Sequence, residues 1–209
     1  MTTTQVNALE AGLGVFLALW AVVLVPQLVL HTVRYGRIVV PKVAATGALL
    51  CYFCLALAVV LLPLPGPNTR PLSQGIQLVP FQWIDDVRRE LGGASPVHAF
   101  TTPAFEQMAL NVLLFVPLGM FARLLWKRGF AGTVLLGFAC SLLIEMTQLT
   151  ANWGTAPLQY RIFDVDDLGT NTTGAALGWI AGALLLTLRA SARTGSEPVR
   201  ERVDLAKAR

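Results

Sequence analysis

Charged residues are scarce in this sequence of 209 residues. Only 13% of them are charged, whereas 55% are hydrophobic. Soluble domains average about 25% charged residues. This shortage of charge, together with several long uncharged runs, excludes an ordinary soluble domain and predicts an integral membrane protein.

Cysteine and histidine are also rare, with three and two copies. Cys51 and Cys54 form a CxxC motif, but it lies inside an apolar run, as does Cys140. Free cysteine packs as a small hydrophobic residue, so we assign no disulfide and no redox centre. His31 and His98 are far apart, which argues against a zinc site. The sequence contains no Walker, dinucleotide or GxSxG motif, and we assign no cofactor and no catalytic residue.

Five apolar segments are long enough to cross a hydrocarbon core of about 30 Å, which takes about 20 residues per helix. They predict an all-α integral membrane protein, a compact bundle of about five transmembrane helices. The fifth segment is the shortest, and we expect it to stand nearly upright. The predicted spans are 11–30, 43–62, 105–124, 130–149 and 171–188.

Basic residues predict the orientation of these spans. If the N-terminus lies outside, the clusters that flank spans all fall on the cytoplasmic side, as the positive-inside rule requires. We therefore expect a multi-pass protein of the cell (cytoplasmic) membrane with its N-terminus outside and its C-terminus inside. The inner clusters are Arg34, Arg37 and Lys42, then Arg123, Lys127 and Arg128, then the C-terminal tail.

The predicted organisation follows from the spans. The first two helices occupy 1–62, an outer loop occupies 63–104, a three-helix core occupies 105–188, and a basic, disordered cytoplasmic tail occupies 189–209. The net charge of +4 does not indicate a nucleic-acid partner, because six of the sixteen basic residues lie in that tail. We expect the lipid bilayer to be the main partner, and the sequence leaves the oligomeric state open.

A short amphipathic interfacial helix is predicted in the outer loop, in PFQWIDDVRREL. Pro80 suits the first turn of a helix, and Gly92 and Gly93 stop it. Ile84, Val87 and Leu91 share one face. The helix either lies on the bilayer surface or packs on the bundle, and both remain open.

Polar residues of separate segments converge on the outer side in this topology. Ionisable side chains within spans are costly and usually face a partner or a cavity. Ser141, Glu145 and Gln148 share one face of the fourth span through spacings of four and three. The candidate ligand-binding residues are Asn111, Glu145, Gln148, Arg161, Asp164, Asp166, Asp167 and Asn171.

Three explanations of this acidic stretch remain open. The aspartates cap the fifth helix, or they form a structural network with Arg161, or they bind a ligand or an ion, so metal binding is undecided. Gly174, Gly178 and Gly182 recur every four residues and predict close helix packing, which we expect against the fourth span near Gly137 and Ser141.

The ordered motifs resemble those of the VanZ-like membrane protein family. They are LVPF (78–81), NVLLFVPLG (111–119), SxxxExxQ (141–148), RxxDxDD (161–167) and NxxGAxxG (171–178). The resemblance covers 78–188. The family is named for a protein that gives low-level resistance to teicoplanin, a lipoglycopeptide antibiotic that acts outside the cytoplasmic membrane. The outward-facing polar site that the topology predicts would suit such a role.

The leading hypothesis is a non-enzymatic cell-envelope protein that lowers susceptibility to glycopeptide antibiotics. Its acidic site would bind or reorganise a cell-surface ligand, for which a lipid headgroup, a peptidoglycan precursor and a lipoglycopeptide are the candidates. The alternative is an intramembrane enzyme acting on lipid-linked or phospholipid substrates through its carboxylates. A transporter ranks third because no internal repeat is visible, and a simple scaffold remains a further possibility.

Overall fold

The computed structural model of the protein describes residues 3–62, 64–66 and 69–194. Among these residues, five helices are long and apolar enough to span a membrane. The protein is therefore an all-α, multi-pass membrane protein, as predicted. The long helices are α1 (Thr3–Tyr35), α2 (Val40–Leu61), α4 (Pro103–Leu124), α5 (Phe130–Leu149) and α7 (Val165–Thr194).

The boundaries of the fourth predicted span match α5, but the first and last spans are longer than predicted. The fifth span, expected to be a short helix over 171–188, is wrong in length because α7 has 30 residues. Asp166 and Asp167 lie in its first turn, and residues 189–194, assigned to the tail, continue it. Helical hydrogen bonds continue past the apolar run in both directions, so hydropathy alone marks only the centre of the helix. Residues 195–209 of the predicted tail lie outside the described residues.

The chain divides into two compact units. Unit 1 contains Met1–Gln77 and Leu143–Asp164, and unit 2 contains Leu78–Leu142 and Val165–Arg209. In unit 1, α1 and α2 form an antiparallel hairpin, in which Gly12 near the start of α1 lies against Ala58 near the end of α2. In unit 2, α4 and α7 make the most extensive helix contact.

Unit 1 also contains three short elements that the sequence did not predict. Strand β1 (Ile76–Gln77) pairs in parallel with β2 (Phe163–Asp164), so two loops that are far apart in sequence meet as a short ladder. A single turn, α6 (Ala151–Gly154), has positive φ at all four residues. Left-handed turns are costly for residues other than glycine, and here Asn152 is held by a hydrogen bond of 2.8 Å from its Nδ2 to the Tyr160 hydroxyl.

The predicted amphipathic helix is present in unit 2 as α3 (Gln82–Leu91). Its start was predicted wrongly, because Pro80 lies outside the helix and Phe81 precedes it in the left-handed region at φ 63°. Val87 is buried, with Ile84 and Leu91 half-buried on the same face, and α3 contacts α4 and a 3₁₀ helix at Pro96–Thr101. The structure thus favours a loop helix packed on its own unit.

Candidate functional site

Helices α4 and α7 run parallel in unit 2, and glycines set their separation. Gly174 lies against the carbonyl of Val112, and Gly178 lies four residues further along against that of Val116. Gly119 of α4 meets the backbone of α7 at Ala175 in return. Any side chain at these three positions would collide with backbone atoms of the other helix. The close contact therefore requires glycine at each of them.

This contact corrects the expected packing partner of the glycine stripe. Gly174 and Gly178 face α4, and Gly182 faces the Arg123 side chain, whereas we expected them to face the fourth span. Helix α5 instead meets the neighbouring face of α7, where Gly137 lies against Ala175. A GxxxG pattern predicts that another helix packs closely against these glycines, but it does not identify which helix that is.

Asn171 links α7 to α5 inside unit 2. Its side chain is only 3% exposed, and its Nδ2 donates to the hydroxyl oxygen of Ser141 at 2.9 Å. That hydroxyl donates in turn to the main-chain oxygen of Asp167 at 3.3 Å. Ser141 itself is fully buried. The amide, the hydroxyl and the carbonyl therefore form a chain of hydrogen bonds between two spanning helices.

Two buried amide atoms of unit 2 have no hydrogen-bond partner among the described residues. They are the Oδ1 atom of Asn171 and the Nδ2 atom of Asn111. Asn111 precedes Val112, the residue on which Gly174 packs, and Asn171 lies three residues before Gly174, so the two residues occupy similar levels along the α4–α7 pair. A buried polar group without a partner costs about 1–3 kcal/mol, and such exceptions call for an explanation. One atom is a donor and the other is an acceptor.

Asp166 has a structural role that the sequence did not reveal. Its two carboxylate oxygens accept hydrogen bonds from the backbone N–H groups of Phe81, at 2.6 Å, and Trp83, at 3.1 Å. These N–H groups belong to the start of α3, where no helical partner is available. The aspartate thus caps a helix that lies more than 80 residues earlier in the chain, and this is why α3 begins after Phe81.

Unit 1 contains the other half of the predicted set. Glu145 is 1% exposed, and its Oε2 accepts a hydrogen bond of 2.9 Å from the backbone N–H of Asp164. The Asp164 carboxylate accepts from Gln77 at 3.3 Å, and Gln148 is buried. A carboxylate in this position holds the strand β2 segment against α5.

Arg161 completes the end of α2 in unit 1. Its guanidinium donates to the carbonyl oxygens of Val59 and Leu62, both at 3.0 Å, and the Tyr160 hydroxyl donates to that of Leu61. The last carbonyls of a helix have no partner within it, and a cation there is favoured by the helix dipole. The sequence did not predict this role of Tyr160, because a single tyrosine in a loop belongs to no motif or periodic pattern.

The eight predicted ligand residues therefore fall into two sets. Unit 1 contains Glu145, Gln148, Arg161 and Asp164, and unit 2 contains Asn111, Asp166, Asp167 and Asn171. Their shared position on the outer side of the membrane stays a prediction. Within the described residues, no three histidine, cysteine or acidic side chains are arranged to hold a metal ion.

Comparison with known families decides the classification of the chain. The VanZ/LLP1 family model matches residues 49–186. The chain belongs to the VanZ/LLP1 family. The match begins within α2, earlier than the resemblance at 78–188 had indicated, so the VanZ/LLP1 region includes most of the second spanning helix. No curated protein and no solved structure matches the chain significantly.

Proposed function

We propose that this VanZ/LLP1 protein is a non-enzymatic cell-envelope protein that binds the polar headgroup of a cell-surface amphiphile. Its site in unit 2 contains Asn111, Asn171 and Asp167, and binding there lowers susceptibility to glycopeptide antibiotics of the teicoplanin type. The proposal rests above all on the two buried amide atoms without partners, a donor on Asn111 and an acceptor on Asn171.

The chemistry of these atoms selects a class of headgroup. A secondary amide or a hydroxyl group supplies both the acceptor that Asn111 lacks and the donor that Asn171 lacks. Peptidoglycan precursors and lipoglycopeptides are rich in both groups. The Ser141 hydroxyl fixes the Asn171 side chain through its Nδ2, which leaves Oδ1 for a ligand. An amide fixed in this way loses little conformational freedom on binding.

Asp166 and Arg161 take no part in binding under this proposal, because their described hydrogen bonds hold the ends of α3 and α2. Glu145, Gln148 and Asp164 remain predicted ligand residues of unit 1. The site faces outward if the N-terminus lies outside, which is the orientation that the basic clusters favour.

The test uses Asn111→Leu, which removes the unpartnered donor and breaks no hydrogen bond that the structure shows. Fluorescent teicoplanin and a labelled lipid-linked peptidoglycan precursor serve as probes for the detergent-purified protein. We expect affinity for at least one probe to fall about threefold to tenfold, the value of one hydrogen bond. Expression in a teicoplanin-susceptible host should protect less with the variant than with the wild type.

Asn7→Leu is the matched control, because Asn7 is an exposed residue of α1 and the chemical change is identical. If Asn111 takes no part in binding, Asn111→Leu leaves binding and protection unchanged, whatever it does to the thermal unfolding midpoint. That result would contradict the proposal.

Orientation is tested separately by cysteine labelling in a background without the three native cysteines. A membrane-impermeant maleimide added to intact cells should label Asp85→Cys on α3 and should not label Lys127→Cys in the α4–α5 loop. The reverse pattern would place the site on the cytoplasmic side and remove the role at the cell surface.

The buried carboxylate of Glu145 favours a second candidate, an intramembrane enzyme acting on lipid-linked substrates. A buried carboxylate can serve as a general base where its pKa is suitably placed. Purified protein incubated with labelled lipid-linked precursors and magnesium or manganese tests this alternative. Turnover by the wild type that is lost in Glu145→Gln would support the enzyme. If the wild type shows no turnover, the enzyme is rejected and the binding protein is the remaining candidate.

A further inference from the structure

Three cations lie together at the end of α4 remote from α3. Arg123 is in the last turn of α4, and Lys127 and Arg128 follow in the loop that leads to α5. In the part of the chain that the structure describes, none of the three has an ion-pair partner, whereas Arg88 and Arg89 of α3 pair with Asp85 and Asp86. We define Arg123, Lys127 and Arg128, with Trp126 and Trp179, as the basic loop site.

Arg123 is held in place by an aromatic ring. Its guanidinium carbon lies 5.1 Å from the centre of the Trp179 ring, within the range of a cation–π interaction. Gly182 makes room for the arginine stem, since a Cβ at that glycine would lie 3.1 Å from the Arg123 Cβ. The position of the guanidinium is therefore set by α7 before any ligand arrives.

Trp179 also fixes the loop. Its indole N–H donates to the main-chain oxygen of Arg128 at 2.9 Å, and the Phe130 ring meets it edge-on at 5.4 Å between centres. The Arg128 N–H donates back to the carbonyl oxygen of Ala122 at 2.8 Å. One tryptophan thus holds both the arginine of α4 and the backbone of the loop.

Lys127 occupies a backbone conformation that glycine would adopt more easily. Its φ is 53°, in the left-handed region that is uncommon for residues other than glycine, asparagine and aspartate. Strained positions of this kind cluster at ligand sites. The chain keeps a cation at this turn in spite of the backbone cost.

Apolar side chains flank the cations. Leu125, Trp126 and Phe130 are 40%, 39% and 46% exposed. Tryptophan and basic residues together mark the interface where hydrocarbon meets the headgroups. A free phosphate ion would contact only the cations, whereas a phospholipid contacts the cations with its headgroup and these apolar side chains with its glycerol and acyl region.

We propose that the basic loop site binds the phosphate of an anionic phospholipid headgroup. Arg123 and Arg128 offer planar guanidinium groups that match phosphate oxygens, Lys127 adds a point charge, and Trp126 packs beside the glycerol region. This site is independent of the amide site at Asn111 and Asn171, and either can fail without the other.

Native mass spectrometry of the full-length protein in detergent, titrated with phosphatidylglycerol or phosphatidylcholine, tests the proposal. The main variant is Lys127→Gln with Arg128→Gln, because neither side chain has a hydrogen bond, ion pair or ring contact among residues 3–62, 64–66 and 69–194. We expect the wild type to prefer phosphatidylglycerol, and the double variant to bind it about fivefold more weakly for each cation removed. Arg88→Gln with Arg89→Gln removes the same charge from α3 and should change binding less than twofold.

A second variant, Arg123→Lys, keeps the charge but removes the planar group that stacks on Trp179. It should bind phosphatidylglycerol more weakly than the wild type while keeping the wild-type unfolding midpoint to within a few degrees. Equal binding of the two lipids, or equal loss in the α3 control, would overturn the proposal. Displacement of the lipid by inorganic phosphate at the same concentration would overturn it in favour of a phosphate ion site.

Discussion

The α4–α7 pair and the α1–α2 hairpin both bring two helices together at glycine residues, but the two contacts differ in how closely the backbones approach. In α4–α7, Gly174 and Gly178 bring backbone against backbone. In α1–α2 the approach is less close: a Cβ at Gly12 would lie 3.1 Å from the Cys54 carbonyl oxygen, against 2.1 Å and 2.0 Å to the carbonyl oxygens that face Gly174 and Gly178. Gly47 of the hairpin faces the ring of Trp20, and Gln27 donates to the Thr46 hydroxyl at 2.9 Å. A side chain can move aside, but a helix backbone cannot move without shifting the whole helix.

The two pairs also differ in the relative direction of their helices. The parallel pair places the N-terminal halves of α4 and α7 side by side, so Asn111 and Asn171 lie at similar levels along the pair. The antiparallel hairpin sets the start of one helix beside the end of the other. Parallel packing of glycine-bearing helices thus gathers polar groups that are 60 residues apart in the sequence.

The largest effect should come from Gly178→Ala. The added Cβ collides with the Val116 carbonyl, so α4 and α7 must separate. We expect a loss of about 3 kcal/mol or more in the free energy of unfolding, at the upper end for overpacked contacts. Thermal unfolding in detergent measures it. Gly14→Ala is the control, because its Cβ meets nothing within 4 Å, and it should be neutral or more stable by up to about 1 kcal/mol. Equal stability of the two variants would refute the contrast between the pairs.

Asp166→Ala should have the next largest effect. It removes two charge-assisted hydrogen bonds from the start of α3, which we expect to cost about 2–3 kcal/mol. Hydrogen exchange should speed up in α3 before it changes in α7. Asp85→Ala removes an exposed ion pair of the same helix and should cost under about 1 kcal/mol. Unchanged exchange in α3 after Asp166→Ala would mean that the carboxylate does not hold this helix.

Arg161→Ala tests the end of α2 in the hairpin unit. It frees the carbonyls of Val59 and Leu62 and should cost about 1–2 kcal/mol, because the site is partly open to solvent. Faster hydrogen exchange in the last turn of α2 is the expected signature. Arg89→Ala on α3 is the control, and an equal loss there would argue that charge alone, and not the cap, is responsible.

The smallest effect should come from Gly47→Ala. A Cβ there would lie 3.0 Å from the Trp20 ring, which can turn slightly to relieve the contact. The gain in helix propensity offsets the strain, so we expect a change of under about 1 kcal/mol in either direction. A loss as large as that of Gly178→Ala would show that the hairpin is packed as rigidly as α4–α7.

Much of the fold could be read from the sequence. The bounds of α5 were predicted to the residue, and all five spans were found, because apolar length and internal hydrogen bonding are local properties of the chain. The start of α3 was missed because a carboxylate on another helix fixes it. Strands β1 and β2 were missed because two residues on each side carry no periodicity.

The candidate site was predictable only as a list of polar residues in or beside spans. Three alternatives were left open for the acidic stretch, and the structure shows different hydrogen-bond partners for Asp164, Asp166 and Arg161. Asp166 caps α3, the backbone N–H of Asp164 donates to the Glu145 carboxylate, and Arg161 caps α2. Asn171 and Asn111 stand out only when hydrogen-bond partners are known.

By itself, the sequence determined that the chain spans a membrane and carries the ordered motifs of the VanZ/LLP1 family. Both follow from hydrophobicity and spacing along the chain, which do not depend on distant contacts. The tertiary structure decided which helix the glycines meet, which helix ends the charged groups cap, and that one amide atom each of Asn111 and Asn171 lacks a partner among the described residues. These outcomes depend on groups that lie between 59 and 102 residues apart in the sequence, and only the packed helices bring those groups together.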